Sequence, residues 1–224
     1  MRRRFQPALF RSLRWLCALL LLLGPGGARA GEVIDRIVAI VDHRVILESE
    51  WDEAVHLECF MDSRPVSVSA EERGKSLERL IDRVLILEQM ESAAFPRSTA
   101  EEIARRLAEV RNQNPAWKTE EGWRAARESY GLNEQDITEH IATQLDVLRY
   151  IDQRFRPGVY IDKRSIESYY LDRFLPELKR EGAHKVALPE VSAKIQEILL
   201  QQRIEELFTA WLRNLRDQIG VQLR

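Results

Sequence analysis

A pair of strand-like segments opens an otherwise helical sequence and limits how the chain can fold. The stretch "IDRIVAIV" (34–41) and the stretch "VIL" (45–47) are rich in β-branched residues, and Asp42, His43 and Arg44 separate them. This pattern predicts a β-hairpin that leads into a helix. Because an isolated two-stranded hairpin is only marginally stable in water, this hairpin needs a further partner.

The best candidate for that partner is a short tail far along the sequence. Residues 221–223 read Val-Gln-Leu after Gly220, and the helical bulk offers no other convincing strand. Pairing this tail with the hairpin would form a small three-stranded sheet. The turn of the hairpin contains no glycine, which counts against the hairpin prediction. The fold class that follows is mainly α, with one small sheet.

Helix-start signals recur between these two segments. Capping residues, several of them within capping boxes, stand at Ser49, Ser69, Thr99, Asn133 and Asp162. The helix after Asn133 carries the apolar stripe Ile137, Ile141, Leu145, Leu148 and Ile151. A short helix is predicted from about Thr119 to Tyr130, with Gly131 ending it. A loop is expected around 176–189, followed by a last helix over 190–219 that is ~45 Å long at 1.5 Å per residue.

Residues 1–30 have the features of a secretory signal peptide. Arginines precede the apolar run at 16–23, and Ala-Arg-Ala at 28–30 matches a cleavage site. The apolar run is shorter than the ~20 residues that a membrane span needs. We therefore expect export, cleavage after Ala30 and no membrane span in the mature chain, rather than an uncleaved anchor.

Removal of this leader would leave an acidic chain. The leader's charged residues are six arginines, so 28 basic residues would remain against 36 acidic ones, a formal net charge of −8. Such a charge balance disfavours nucleic acid as a partner. The cysteine that remains, Cys59, cannot form an intramolecular disulfide and stands in an apolar neighbourhood that favours a core position.

The sequence carries no recognisable arrangement for catalysis, metal binding or cofactor binding. The histidines are His43, His56, His140 and His184, and they fall on separate predicted elements without the spacing of metal ligands. No phosphate-binding glycine loop or nucleophile motif is present. Acidic pairs stand at helix starts or on solvated faces, where they suit the helix dipole. We expect no catalytic residue, no metal site and no cofactor.

Aromatic side chains near breaks in the helical pattern are the candidates for a binding site. They are Trp117, Trp123, Tyr130, Tyr160, Tyr169 and Tyr170. Aromatic rings offer a large contact area without demanding one sequence, as a binder of varied polypeptides requires. The alternative is that these rings pack in the core and between helices.

Four stretches together resemble secreted chaperones of the SurA family and related parvulin-type foldases. They are "IDRIVAIVDHRVILESEWDEAV" (34–55), "LERLIDRVLILEQM" (77–90), "VYIDKRSIESYYLDRF" (159–174) and "VSAKIQEILLQQRIEELFTAWLRNLRDQIGVQL" (191–223). The resemblance implies a helical chaperone module at 31–156, a connector helix and loop at 157–189, and a helix and strand at 190–224 that pack back on the module.

The resemblance also carries a functional expectation and a departure. It implies a periplasmic, ATP-independent chaperone for unfolded polypeptides, with outer-membrane protein precursors as clients. Residues 175–189 are too few for the prolyl-isomerase domain that such proteins carry there, since a folded domain needs at least about 50 residues. We therefore expect no isomerase activity. A prolyl isomerase and a dedicated envelope assembly subunit remain the alternatives, and the oligomeric state is open.

Overall fold

The computed structural model describes residues 35–182 and 184–224, which form a mainly helical unit with a small sheet. The strands are β1 (Ile37–Val41), β2 (Arg44–Leu47) and β3 (Val221–Leu223). The helices are α1 (Glu48–Met61), α2 (Ala70–Ser92), α3 (Ala100–Gln113), α4 (Glu120–Ser129), α5 (Glu134–Phe155), α6 (Lys163–Tyr169), α7 (Leu175–Arg180) and α8 (Leu188–Ile219). The predicted signal peptide, with its cleavage site after Ala30, lies outside the described residues.

The sheet consists of the three predicted strands, with β1 between β2 and β3 and both pairings antiparallel. Val41 pairs with Arg44 across the hairpin and with Val221 on the other side. The turn is made by Asp42 and His43, and Asp42 takes a φ of 51°. Aspartate tolerates this left-handed conformation better than most residues, so the hairpin closes without glycine. The structure confirms the mainly α fold with a hairpin joined by a strand from residues 221–223.

Helix α8 brings its own strand β3 back to the hairpin. Its residue Leu215 packs in one cluster with Val38 and Val41 of β1 and with Ile81 and Leu85 of α2. The Arg216 guanidinium donates to the Asp82 carboxylate and to the Glu78 carboxylate, each at 2.5 Å. Apolar burial thus joins the sheet, α2 and α8, and an ion-paired edge fixes the register of the two helices.

The predicted caps form at four of the five positions. Ser69, Thr99, Asn133 and Asp162 each accept a backbone N–H from the first turn of the helix that follows. The prediction for Ser49 was wrong, because α1 begins at Glu48, two residues before the start that a cap at Ser49 requires. The Ser49 hydroxyl instead donates to the Asp35 carboxylate, and the Leu47 N–H donates to Glu50 Oε2 at 3.0 Å.

The segment after α5 is more helical than predicted. A π-helical turn at Tyr170–Phe174 joins α6 to α7, and α7 continues to Arg180, inside the loop expected at 176–189. Pro176 stands in the first turn of α7, where a missing backbone N–H is tolerated. The connection to α8 therefore begins only after Arg180.

Removing residues 220–224 should lower the free energy of unfolding by about 2–3 kcal/mol. The deletion removes the β1–β3 ladder, in which Ala39 faces Leu223, and it turns the central strand into an edge. Urea unfolding followed by circular dichroism measures the change. An Arg224→Ala variant is the control, since its backbone N–H still donates to the Val38 carbonyl. A truncated protein as stable as this control would contradict the role of the strand.

Candidate functional site

Three of the six predicted aromatic residues lie in one tightly packed cluster, which we call the aromatic core (Phe60, Trp117, Trp123 and Tyr130). The Trp117 ring stacks on Phe60 with centroids 4.7 Å apart, and Trp123 meets both rings edge to face at 5.5 and 5.9 Å. The Tyr130 hydroxyl donates to the Arg64 carbonyl at 2.9 Å. Trp123 is 0% exposed. These rings pack as the core alternative describes, and direct peptide contact with Trp123 would require this core to open.

The other three predicted aromatic residues lie on the connector, in different environments. Tyr160 is 87% exposed, Tyr169 is half-buried and Tyr170 is buried. The Tyr170 ring stacks on Phe174 at 5.8 Å, and its hydroxyl donates to the Val186 carbonyl at 2.6 Å. The structure therefore separates the six residues: three lie in the aromatic core, Tyr169 and Tyr170 pack within the connector cluster, and Tyr160 is exposed. Peptide binding by Tyr160 and Tyr169 stays a prediction.

An open cleft with a largely apolar lining lies between α2, α5 and α8. Its volume is about 260 Å³. The apolar side chains that line it are Ile86, Val147, Leu148, Phe208 and Leu212. Leu148 is 59% exposed, although its place in the apolar stripe of α5 predicted an inward position. Sequence periodicity cannot reveal this exposure, because it depends on where α2 and α8 cross α5.

A half-buried aromatic seam continues from the cleft along α5 and α8. The Phe208 ring of the cleft wall lies 6.0 Å from Trp211 and 6.3 Å from Phe155. The Tyr150 ring lies 6.2 Å from Trp211, and the Arg154 guanidinium sits over Trp211 at 5.1 Å. The cleft and this seam together present an apolar surface with half-buried side chains at its edge and ring-to-ring packing behind it.

Charged groups on the cleft wall are paired, with one exception. The Arg79 guanidinium donates to both carboxylate oxygens of Glu58, at 2.9 and 2.6 Å, and Asp82 is held by Arg216. Within residues 35–182 and 184–224, Arg83 has no carboxylate in hydrogen-bond or salt-bridge distance, and the negative charges of Glu58 and Glu53 act on it only from farther away. Burial lowers the pKa of Arg83, and arginine still keeps its charge at neutral pH. The cleft wall thus holds a cation without a direct carboxylate partner among the described residues.

His140 also lines the cleft and is uncharged at neutral pH. Burial, followed by the positive charge of Arg83, lowers its pKa to about 4, and Glu58 opposes this effect only in part. Its Nδ1 atom is buried and meets no hydrogen-bond partner among the described residues. A protonated His140 would place a second cation beside Arg83, so the folded state disfavours its protonation.

Acidification from pH 7 to pH 5 should lower the free energy of unfolding by about 2 kcal/mol through His140. Histidine in the unfolded chain titrates near 6.5 and folded His140 near 4, so the unfolded state binds the extra proton in this window. Stability is therefore lost as the pH falls below about 6.5. Urea unfolding at both pH values, for the parent protein and for His140→Gln, measures this contribution.

The comparison with His140→Gln separates the contribution of His140 to the pH dependence of stability from that of the acidic residues. Burial raises the pKa of Asp82 and of Glu88, which stabilises the fold on the acid side, but both proteins carry these groups. Between pH 7 and pH 5, the free energy of unfolding should fall by about 2 kcal/mol more in the parent protein than in the variant. A parent and a variant with the same pH dependence would refute the assignment.

The remaining reactive side chains lie apart from the cleft. Cys59 is buried, and burial raises the pKa of its thiol, as expected of a core cysteine. Across the described ranges, no group of three or more His, Cys, Asp or Glu side chains is placed to hold a metal ion. No helix of residues 35–182 and 184–224 has the length and apolarity to cross a bilayer. The cleft itself is lined mainly by apolar side chains.

Comparisons with known proteins add a family resemblance to this geometry. No protein-family profile matches the chain. The chain is 28% identical over 160 residues to a protein named chaperone SurA from Pseudomonas fluorescens strain Pf0-1, a match that covers 66% of this chain and 35% of that protein. A protein of the same name from P. fluorescens strain Pf-5 is 26% identical over 155 residues, with the same coverage.

These matches confirm the resemblance to the SurA family that the four sequence stretches indicate. The chain spans about a third of the length of these curated relatives, 35% in each case.

Proposed function

We propose that this protein is a periplasmic, ATP-independent chaperone that holds unfolded polypeptides, with outer-membrane protein precursors as its clients. The observation that carries the proposal is the open apolar cleft between α2, α5 and α8. Its exposed Leu148 and half-buried Phe208 give an unfolded chain an apolar surface at which to shelter its own apolar side chains. The relatives named chaperone SurA support the class of function.

The energetics of the cleft suit reversible holding. Burying one large apolar side chain of a client contributes about 1.5–3 kcal/mol. Two or three such contacts along the cleft and the seam contribute about 3–9 kcal/mol before the entropy that an unfolded client loses, so binding stays weaker than the about −8 kcal/mol of a micromolar complex. Such affinity competes with aggregation and still lets the client leave. The activity needs no nucleotide and no covalent step.

Apolar contacts also allow breadth of clients. Side chains such as Leu148 and Phe208 impose no hydrogen-bond pattern on a ligand, so many sequences can occupy the same surface. The half-buried seam of Phe155 and Trp211 extends this surface beyond the cleft. This breadth separates a chaperone from an assembly subunit that serves one fixed partner.

Leu148→Gln should weaken the suppression of client aggregation about fivefold. The substitution removes about 1 kcal/mol of apolar contact per bound client, and it costs the fold little because Leu148 is already 59% exposed. The measurement is light scattering after a urea-unfolded outer-membrane β-barrel protein is diluted into buffer with increasing amounts of the chaperone. An unrelated unfolded soluble protein serves as a second client and tests breadth.

Leu171→Gln is the matched control, since Leu171 is 60% exposed and lies in the π-helical turn of the connector, outside the cleft. It should leave the suppression unchanged. If only the Leu171 variant lost suppression of aggregation, the client contacts would lie on the connector, with Tyr160 and Tyr169, and not in the cleft. Failure of the parent protein to suppress aggregation of either client would refute the proposed function.

A further inference from the structure

The three-helix cleft is small for a ligand site. Its volume of about 260 Å³ falls just below the about 300–1,000 Å³ of pockets that hold drug-sized ligands. Its apolar wall includes Phe208 and Leu212 from α8 and Val147 from α5. A large apolar side chain bound there would cover these walls and remove them from water.

Arg83 gives the same cleft a charge requirement. Its side chain is half-buried and, within the described residues, makes no salt bridge, and two guanidinium nitrogens of Arg79 engage Glu58. Asp82, the other acid of the wall, accepts from Arg216. Glu58 and Glu53 offset the charge of Arg83 only from farther away, and arginine pairs best with a planar carboxylate that accepts two hydrogen bonds.

The apolar lining and the cation Arg83 together fit one type of residue. The C-terminal residue of a polypeptide carries an apolar side chain and a carboxylate on the same Cα, whereas an internal Asp or Glu carries its carboxylate without an apolar group. We propose that the cleft binds the C-terminal residue of an unfolded polypeptide, with its apolar side chain against Phe208 and Leu212 and its α-carboxylate beside Arg83. This inference rests on the proposed function, because it names which part of a client enters the cleft.

The test uses three short peptides labelled with fluorescein at the N-terminus and titrated with the full chain by fluorescence anisotropy. Two share the sequence Gly-Ser-Gly-Ser-Phe and end in a free acid or in an amide. The third is Gly-Ser-Gly-Glu-Phe-amide, which offers a side-chain carboxylate beside the aromatic ring. The free acid should bind at least about tenfold more tightly than either amide, as a charge-assisted bidentate contact requires.

Variants of the protein assign the effect to the cleft. Arg83→Gln should abolish the preference for the free acid over the two amides. Arg213→Gln removes the same charge from the exposed face of α8, outside the cleft, and should keep the preference. Leu148→Glu places a carboxylate at the rim on an already exposed position and should also abolish it, so the test does not depend on one variant.

Several outcomes would overturn the inference. Acid and amide that bind within twofold of each other, a preference that survives Arg83→Gln, or equal binding of the third peptide and the free acid would each do so. If aggregation of clients is still suppressed in those cases, the proposed function stands without this inference. Tight binding of the free acid by a protein that suppresses no aggregation would support the site and refute the chaperone role.

Discussion

Replacing Trp123 with alanine should lower the free energy of unfolding by about 3–5 kcal/mol. The ring is 0% exposed and packs edge to face against Phe60 and Trp117, so its removal leaves a cavity that its neighbours cannot close. The guanidinium groups of Arg111 and Arg127 lie over the same ring, at 5.3 and 5.8 Å, and they would lose this contact as well. Urea unfolding followed by circular dichroism measures the loss.

Trp123→Phe is the matched control, and it should cost much less. Phenylalanine keeps an aromatic ring in the slot, and it deletes an indole N–H that has no hydrogen-bond partner among the described residues. The folded fraction of Trp123→Ala should suppress client aggregation as the parent protein does, since the cleft at Leu148 lies on other helices. A variant that keeps its stability and loses suppression would instead make Trp123 a client contact.

The sheet and most helix starts could be predicted from the sequence. A capping residue acts within one helical turn, and the hairpin had a single convincing partner strand. Ser69 and Thr99 each cap the helix that begins at the next residue, with a glutamate at the position that completes a capping box. Residues 221–223 were the only convincing partner for the hairpin. Ser49 shows the limit of this reasoning, since its hydroxyl donates to Asp35, 14 residues away, and Glu50 caps the Leu47 N–H instead.

The candidate site was harder to predict, because its properties come from contacts between distant segments. A tryptophan near a break in a helix looks the same in sequence whether it faces solvent or a core. Phe60, which stacks on Trp117, comes from a different helix far earlier in the chain. Among the described residues Arg83 makes no salt bridge, whereas Arg79, one turn before it, engages Glu58. No local pattern reports which of two neighbouring arginines is paired.

Gly122 is a residue that the sequence analysis did not single out, and Gly122→Ala should destabilise the protein by about 3 kcal/mol. A Cβ at this position would overlap the Ala116 carbonyl oxygen and come within 3.0 Å of its carbonyl carbon. These are backbone atoms of the 3₁₀ turn Pro115–Lys118, which Asn114 caps. The turn would have to move away from α4, and Trp117, which it carries, would leave its stack on Phe60.

Gly74→Ala provides the control, because Gly74 also lies within a helix and a Cβ there meets no atom within 4 Å. Alanine favours a helix by up to about 1 kcal/mol over glycine, so this variant should be as stable as the parent or slightly more stable. The same propensity gain acts at Gly122, and the expected loss there must exceed it. Near-ultraviolet circular dichroism reports the environment of Trp117 and Trp123, and this signal should change in Gly122→Ala alone. If both variants gained stability, the close approach of Gly122 to the turn would not be what holds the aromatic core in place.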